Sequence, residues 1–294
     1  MNAAFFLTST WRNASMAGRA VKCLACAFGM LPLLAAWQAN AASYGYAPTT
    51  YSWISNVGHT EVTWGGAAQC AAWNSAPGDD DGTAPINIGF SFPFYSTGGT
   101  VTNYSQVRIM SNGRLHFGTN NYCGYGTQTV GSAVPPPIPP TYPYPYPNAN
   151  MNTTMRIYGA DFCPNSATEG GTGCPGYPGS GKVTYQMLGT SPYRYFVVTW
   201  SQMPEWNSIG SLFNVQIILY ENGDFVYQYK DIANFSHGTG QVGWQLSAAD
   251  YDLVDMSSIT SLAHTSIRFY RPTAPIAEYR FDECSSSGAN SVLD

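Results

Sequence analysis

The sequence predicts an all-β fold, a β-sandwich of many short antiparallel strands behind a short apolar leader. Three observations carry this. Only 10% of the 294 residues are charged while 15% are aromatic, and the abundant Thr, Tyr, Ser, Asn and Gly favour strands and turns over helices. Two segments alternate apolar and polar residues on either side of an Asn-Gly pair, the pattern of a hairpin. After residue 41, no stretch of about ten residues or more carries a helical period.

The elements follow in chain order. Residues 42–85 are rich in Gly, Ala and Asn, with short strand-like pieces such as His59 to Trp64. From Ile86 to Phe92 (INIGFSF) apolar and small or polar residues alternate, which is the period of a half-buried strand. Val107 to Met110 and Arg114 to Phe117 flank Ser111-Asn112-Gly113, where Asn-Gly tolerates the positive φ angles of a tight turn. Tyr193 to Trp200 is more uniformly apolar and reads as a more fully buried strand. Phe213 to Tyr220 alternates, Glu221 to Asp224 turns, and Phe225 to Tyr229 returns; this is the strongest local signal in the chain. Gln241 to Leu246 and Ser266 to Tyr270 supply later strands. Between the halves, Pro135 to Pro147 is proline-rich, lacks amide donors for a ladder and reads as polyproline II. A stiff loop over the sandwich explains it better than a recognition segment presenting Tyr142, Tyr144 and Tyr146, because strands lie on both sides of it.

The leader sets the compartment. Arg12, Arg19 and Lys22 precede an apolar run from Cys23 to Trp37, followed by Ala39-Asn40-Ala41, the small-x-small form of a cleavage site. The run is shorter than the roughly 20 residues of a membrane span and has Pro32 in its middle. Residues 1–41 are therefore expected to be a signal peptide, with no integral membrane span. Their removal takes away three basic residues and no acid, so the net charge falls from −5 to −8. That argues against nucleic acid as a partner, since phosphates are neutralised by clustered Lys and Arg.

Cysteine usage agrees with export. Of seven Cys, Cys70, Cys123, Cys163, Cys174 and Cys284 lie beyond the leader. In an exported chain they read as disulfides before metal ligands, and no C-x-x-C spacing suggests zinc. Cys163 with Cys174 brackets a Gly-rich loop, Cys70 with Cys123 is a plausible second pair, and Cys284 is left over.

Catalytic signatures are missing. No nucleophile elbow, H-E-x-x-H, P-loop or dinucleotide fingerprint occurs. His59, His116, His237 and His264 are far apart; His116, between Leu115 and Phe117, is expected on the solvent side of its strand. Asp161, Glu205 and Asp224 are the isolated carboxylates a polysaccharide hydrolase would need to pair, and Asp224 beside Gly223 has a turn to make instead. No cofactor is implied. Asp79, Asp80 and Asp81 are weak calcium candidates, since oxygen-rich loops bind that ion, but the run is consecutive where calcium loops alternate, and a solvated turn is the simpler reading. Asp250, Asp252 and Asp255 are weaker still. Among aromatics, Trp200 and Trp244 lie in strands and belong to the core, while Trp206 sits in a loop-like segment as a weak glycan-contact candidate.

The segment from Asp79-Asp80-Asp81-Gly82 through Gly89-Phe90-Ser91-Phe92 and Ser111-Asn112-Gly113 to Phe117-Gly118 resembles the opening of nidogen-type extracellular domains. The Leu219 to Tyr229 hairpin and Gly240 to Trp244 extend the likeness. Tyr122-Cys123-Gly124-Tyr125-Gly126, Met155 to Asp161 and Tyr195 to Trp200 are similar to the MshQ-like family of MSHA biogenesis proteins, associated with a bacterial type IV pilus. Ala277 to Cys284 resembles the first strand of a laminin-G/concanavalin-like domain. The resemblance implies a nidogen-like sandwich over residues 42–272 and a truncated laminin-G-like start over 273–294, which would also account for the leftover Cys284. It implies no catalytic residues. The expected function is a non-enzymatic module at the bacterial periplasm, outer surface or extracellular space, serving pilus biogenesis or adhesion. Its partners would be pilus or other cell-surface components; glycan binding is the alternative and polysaccharide hydrolysis a weaker one.

Overall fold

The computed structural model describes residues 44–65, 80–96, 99–123, 149–164, 181–205, 208–233, 242–254 and 262–271. These form two antiparallel sheets and one 3-10 turn at Ala149–Met151, with no α-helix among the described residues. The seven-stranded sheet runs, edge to edge, β1 (Gly45–Pro48), β13 (Thr265–Tyr270), β10 (Phe225–Ala233), β9 (Ser208–Tyr220), β8 (Tyr195–Glu205), β7 (Lys182–Leu188) and β2 (Thr60–Glu61). The six-stranded sheet runs β12 (Asp250–Leu253), β11 (Gly243–Ser247), β6 (Thr154–Arg156), β5 (Arg114–Phe117), β4 (Val101–Met110) and β3 (Ile86–Tyr95). The expected sandwich is the fold, and among the described residues no helix is long and apolar enough to cross a membrane.

Alternation converts directly into layers. In β3, Ile88, Phe90, Phe92 and Phe94 are buried between more exposed neighbours, because successive side chains of a strand point to opposite faces. Both expected hairpins form: Met110 pairs with Arg114 across Ser111-Asn112-Gly113, and Leu219 pairs with Phe225 across the Glu221–Asp224 turn. Gly223 has φ +93°, and a Cβ there would stand 2.6 Å from the Tyr95 ring and 2.8 Å from Pro93 Cγ, so this turn requires glycine.

The core is aromatic. Phe94 and Trp244 of one sheet face Phe225 of the other around Tyr44, whose ring centroid lies 5.9, 5.4 and 4.9 Å from theirs, all edge to face. Three of the buried hydroxyl and indole donors find carbonyls in the opposite sheet or its loops. Tyr227 donates to the Gly243 carbonyl and Tyr229 to that of Ile157, each at 2.7 Å, and Trp200 Nε1 donates to the Met110 carbonyl at 3.1 Å. Trp200 and Trp244 are core residues, as expected.

His116 departs from expectation: it is fully buried, not on a wet face. It does project away from the core, but the outer face of the six-stranded sheet is itself covered. Arg108, His116, Thr154 and Gln245 form one row across β4, β5, β6 and β11, and the 118–123 and 149–153 segments close over it. Asn120 Nδ2 donates to the carbonyl of Asn150 and to Thr154 Oγ1, Gln245 Nε2 donates to Asn152 Oδ1, and Arg114 Nη2 donates to the Cys123 carbonyl. Burial first, then the neighbouring Arg114 charge, hold the His116 imidazole well below its ordinary pKa.

Candidate functional site

Among the described residues, the outer face of the seven-stranded sheet carries a well-formed concave surface. Its middle is a polar row across five strands: Ser266, Gln228, Gln216, Thr199 and Thr184, in register from β13 to β7 and all buried. Polar side chains are buried there because a strap, residues 49–57, crosses the strands above them. The Ile54 amide donates to Gln216 Oε1 at 3.2 Å, while Gln216 Nε2 donates to the Ile54 carbonyl at 2.6 Å and to Thr199 Oγ1 at 2.9 Å. The Ser52 amide donates to Gln228 Oε1 at 2.9 Å, and Asn56 Nδ2 donates to Ser201 Oγ at 3.0 Å. The carboxamide of Gln216 thus supplies the donor and acceptor a neighbouring strand would offer, which satisfies a backbone running across the sheet.

One flank of the strap is a groove of about 520 Å³. The next row of the sheet, Val226, Ile218 and Val197, gives it an apolar floor that packs against Ile54. Tyr195 and Tyr220, directly opposed on β8 and β9, wall it with ring centroids 5.9 Å apart. Asn222, Asp224, Gln228 and Arg268 supply its polar groups. Burial raises the Tyr220 hydroxyl above its ordinary pKa, keeping it a neutral donor at neutral pH. An apolar floor with aromatic walls and a few convergent amide and hydroxyl groups is the general form of a small-ligand site.

The acidic groups near this groove are spoken for. Asp224 Oδ2 accepts from Arg268 Nε at 3.1 Å and from Arg268 Nη2, and Oδ1 accepts from the Arg271 amide at 3.3 Å. Asp224 therefore ties the β9–β10 turn to β13, an extension of its expected turn role. Glu221 accepts from Arg194 Nε at 2.9 Å and from the Arg194 amide at 3.2 Å, and the guanidinium holds its carboxyl down at about 2.

The sequence motifs of the Asp run, the Asn-Gly turn and the Met155 to Asp161 segment meet at one point, and that point is structural. Asn112 is 1% exposed; its Nδ2 donates to Asp80 Oδ1 and its Oδ1 accepts from the Phe162 amide, each at 2.7 Å. Asp81 is buried, contrary to the solvated-turn reading of its run, and its carboxylate accepts from the amides of Gly65 at 2.8 Å and Gly82 at 2.6 Å. The bond from Gly65, 16 residues away in sequence, ties the run to the segment after β2. Asp79 lies outside the described residues, and among the described residues no cluster of three His, Cys, Asp or Glu could hold a metal.

Glu205 is fully buried and forms an antiparallel bridge with Phe162, which brings Asp161 and Glu205 onto adjoining segments. Cys123 and Cys163 are each disulfide-bonded and buried. Cys70, Cys174, Cys284, Trp206, the tyrosine-bearing proline segment, and residues 1–41 and 273–294 lie outside the described residues. The groove and its strap escaped the sequence reading. The available signal was Gln216 and Gln228, each amid apolar neighbours and facing one another across the hairpin.

The chain matches the family described as NIDO related over residues 43–144 and 174–281. No curated protein and no solved structure matches it. With well over half its length matched, the chain belongs to the NIDO-related family, whose nidogen-related domains are typically extracellular.

Proposed function

We propose that this NIDO-related domain is a non-enzymatic module of a bacterial cell-surface adhesion system, in the manner of the MshQ-like proteins of type IV pilus biogenesis. The observation that supports it best is the groove beside the strap. It is built for contact, with tyrosine walls, an apolar floor and amide groups. Its carboxylate, Asp224, is engaged by Arg268 and the Arg271 amide and serves to tie the β9–β10 turn to β13. Family membership agrees with an extracellular adhesion-type module. The test is retrieval: the immobilised mature domain is incubated with purified pilus and outer-surface fractions of a bacterium encoding it. Specific retention of a pilus or surface component is expected, and retention of nothing from either fraction would overturn the proposal.

A second reading, glycan binding, is favoured by the same face, because flat rings flanked by carboxamides and hydroxyls suit sugar faces and their hydroxyl groups. An array of bacterial and host glycans decides it; a flat array removes it.

A further inference from the structure

The other flank of the strap holds a second cavity, of about 300 Å³, lined by Trp53, Asn56, Lys182, Ser201, Gln202, Asn214 and Lys230. We infer that it binds a carboxylate-bearing saccharide, a uronic acid unit, with Trp53 as the stacking ring and Lys182 and Lys230 as the groups that select the charge. This rests on the glycan-binding reading of the face and names the ligand class.

Lysine placement is the first support. The whole sequence contains three lysines, Lys22, Lys182 and Lys230. The two beyond the leader, on β7 and β10 with two strands between them, line this one cavity. In a chain where acids outnumber bases, 17 to 12, that is a local concentration of the flexible, strongly hydrated cation. Lys230 Nζ lies over the Trp53 ring, 5.9 Å from its centre, so the indole and the ammonium share one end of the cavity, and a stacked acidic pyranose would take the ring and draw the ammonium to its carboxylate.

Strand irregularity is the second. Pairing of β10 with β9 shifts between Tyr229 and Asp231, leaving Lys230 as the extra residue. Pairing of β8 with β9 shifts between Trp200 and Met203, at Ser201 and Gln202. Gln202 has φ +51°, a left-handed conformation that is strained for a non-glycine residue. Its amide is fixed by Asn214 Oδ1 at 2.8 Å, and Asn214 in turn donates to Asp231 Oδ2 at 3.2 Å. Bulges re-aim side chains and gather beside functional sites. Here the irregularities of two strands fall along one edge of one cavity, and among the described residues the Gln202 carboxamide makes no hydrogen bond of its own.

The nearby acids leave the cations usable. Asp231 is turned to Asn214. Glu61 meets Lys182 at 3.3 Å, but with both side chains about half exposed; such a solvent-screened pair is weak and yields to a better-placed carboxylate.

The experiment titrates the disulfide-intact mature domain with an oligomannuronate hexamer and with cellohexaose as the neutral control, read by calorimetry and by the Trp53 indole NMR signal. Binding of the acidic oligomer is expected, weakened by salt and weakened roughly tenfold or more in K182Q/K230Q. Both lysines are exposed, so the double variant keeps its fold, checked by circular dichroism. Binding of cellohexaose alone, or of both oligomers equally, overturns the acidic assignment while leaving glycan binding standing. Binding of neither overturns the uronic acid assignment, and the glycan array decides separately whether the face binds any sugar. Acidic binding that K182Q/K230Q leaves unchanged overturns the assignment to this cavity.

Discussion

Replacing Gln216 with Leu perturbs the strap and little else, because the two side chains have similar volume and Gln216 is fully buried. Three hydrogen bonds disappear, two with the Ile54 backbone and one with Thr199. The lost bonds would each count about 1 kcal/mol net, and the Ile54 amide and carbonyl, left part-buried and unpartnered, cost about 1–3 kcal/mol apiece. Allowing for water reaching one of them, the expected loss is about 4–6 kcal/mol. Urea unfolding of the disulfide-intact domain at pH 7 reads it as a lower midpoint at unchanged slope, and hydrogen exchange reads it locally, as loss of protection at the Ile54 amide. A loss under about 1 kcal/mol with Ile54 protection intact would refute the view that Gln216 pins the strap.

Other perturbations probe separate parts of the fold. His116 is held neutral by burial, so the unfolded chain takes up its proton as pH falls through 6.5 while the folded chain does not. Stability should therefore decline below that pH by up to about 1.4 kcal/mol per pH unit, until the depressed folded value is reached; His116→Gln should flatten the decline, and equal slopes in both proteins would contradict it. Glu221 should titrate by NMR near the value of about 2 that Arg194 imposes. The pairing is thus present above the ordinary carboxylate range and lost as pH falls through about 2, and Arg194→Ala should return the midpoint to that ordinary range. Gly223→Ala, at φ +93° and against Tyr95 and Pro93, should cost about 2 kcal/mol or more by urea unfolding; a neutral outcome would mean the turn relaxes freely.

Local pattern made the hairpins legible, because Ser111-Asn112-Gly113 and Glu221-Asn222-Gly223-Asp224 carry their own turn chemistry and their flanking strands alternate. Long-range coverage was not legible. A polar residue in an alternating strand reads as facing water, and that inference failed wherever a second layer lay outside the sheet. It failed at His116 under the 118–123 segment, and it hid the part played by Gln216 and Gln228 under the strap. The Asn-Gly turn shows the same limit from another side. Its glycine was legible as a turn residue, whereas the Asn112 side chain, bridging Asp80 and Phe162 across 32 and 50 residues of sequence, could be seen only in the folded chain. That is why the Asp run and the Asn-Gly turn, separate in the sequence, meet at one joint of the sandwich.

Retention of a pilus or surface component by the mature domain, compared with a Tyr195→Ala/Tyr220→Ala variant of unchanged fold, tests most directly whether the outer face of the seven-stranded sheet is an adhesion surface. The wild-type domain should retain the component, and the variant should lose most of it, since the two rings form the wall of the groove. Equal retention by both proteins, or none by either, would contradict the assignment of adhesion to this face.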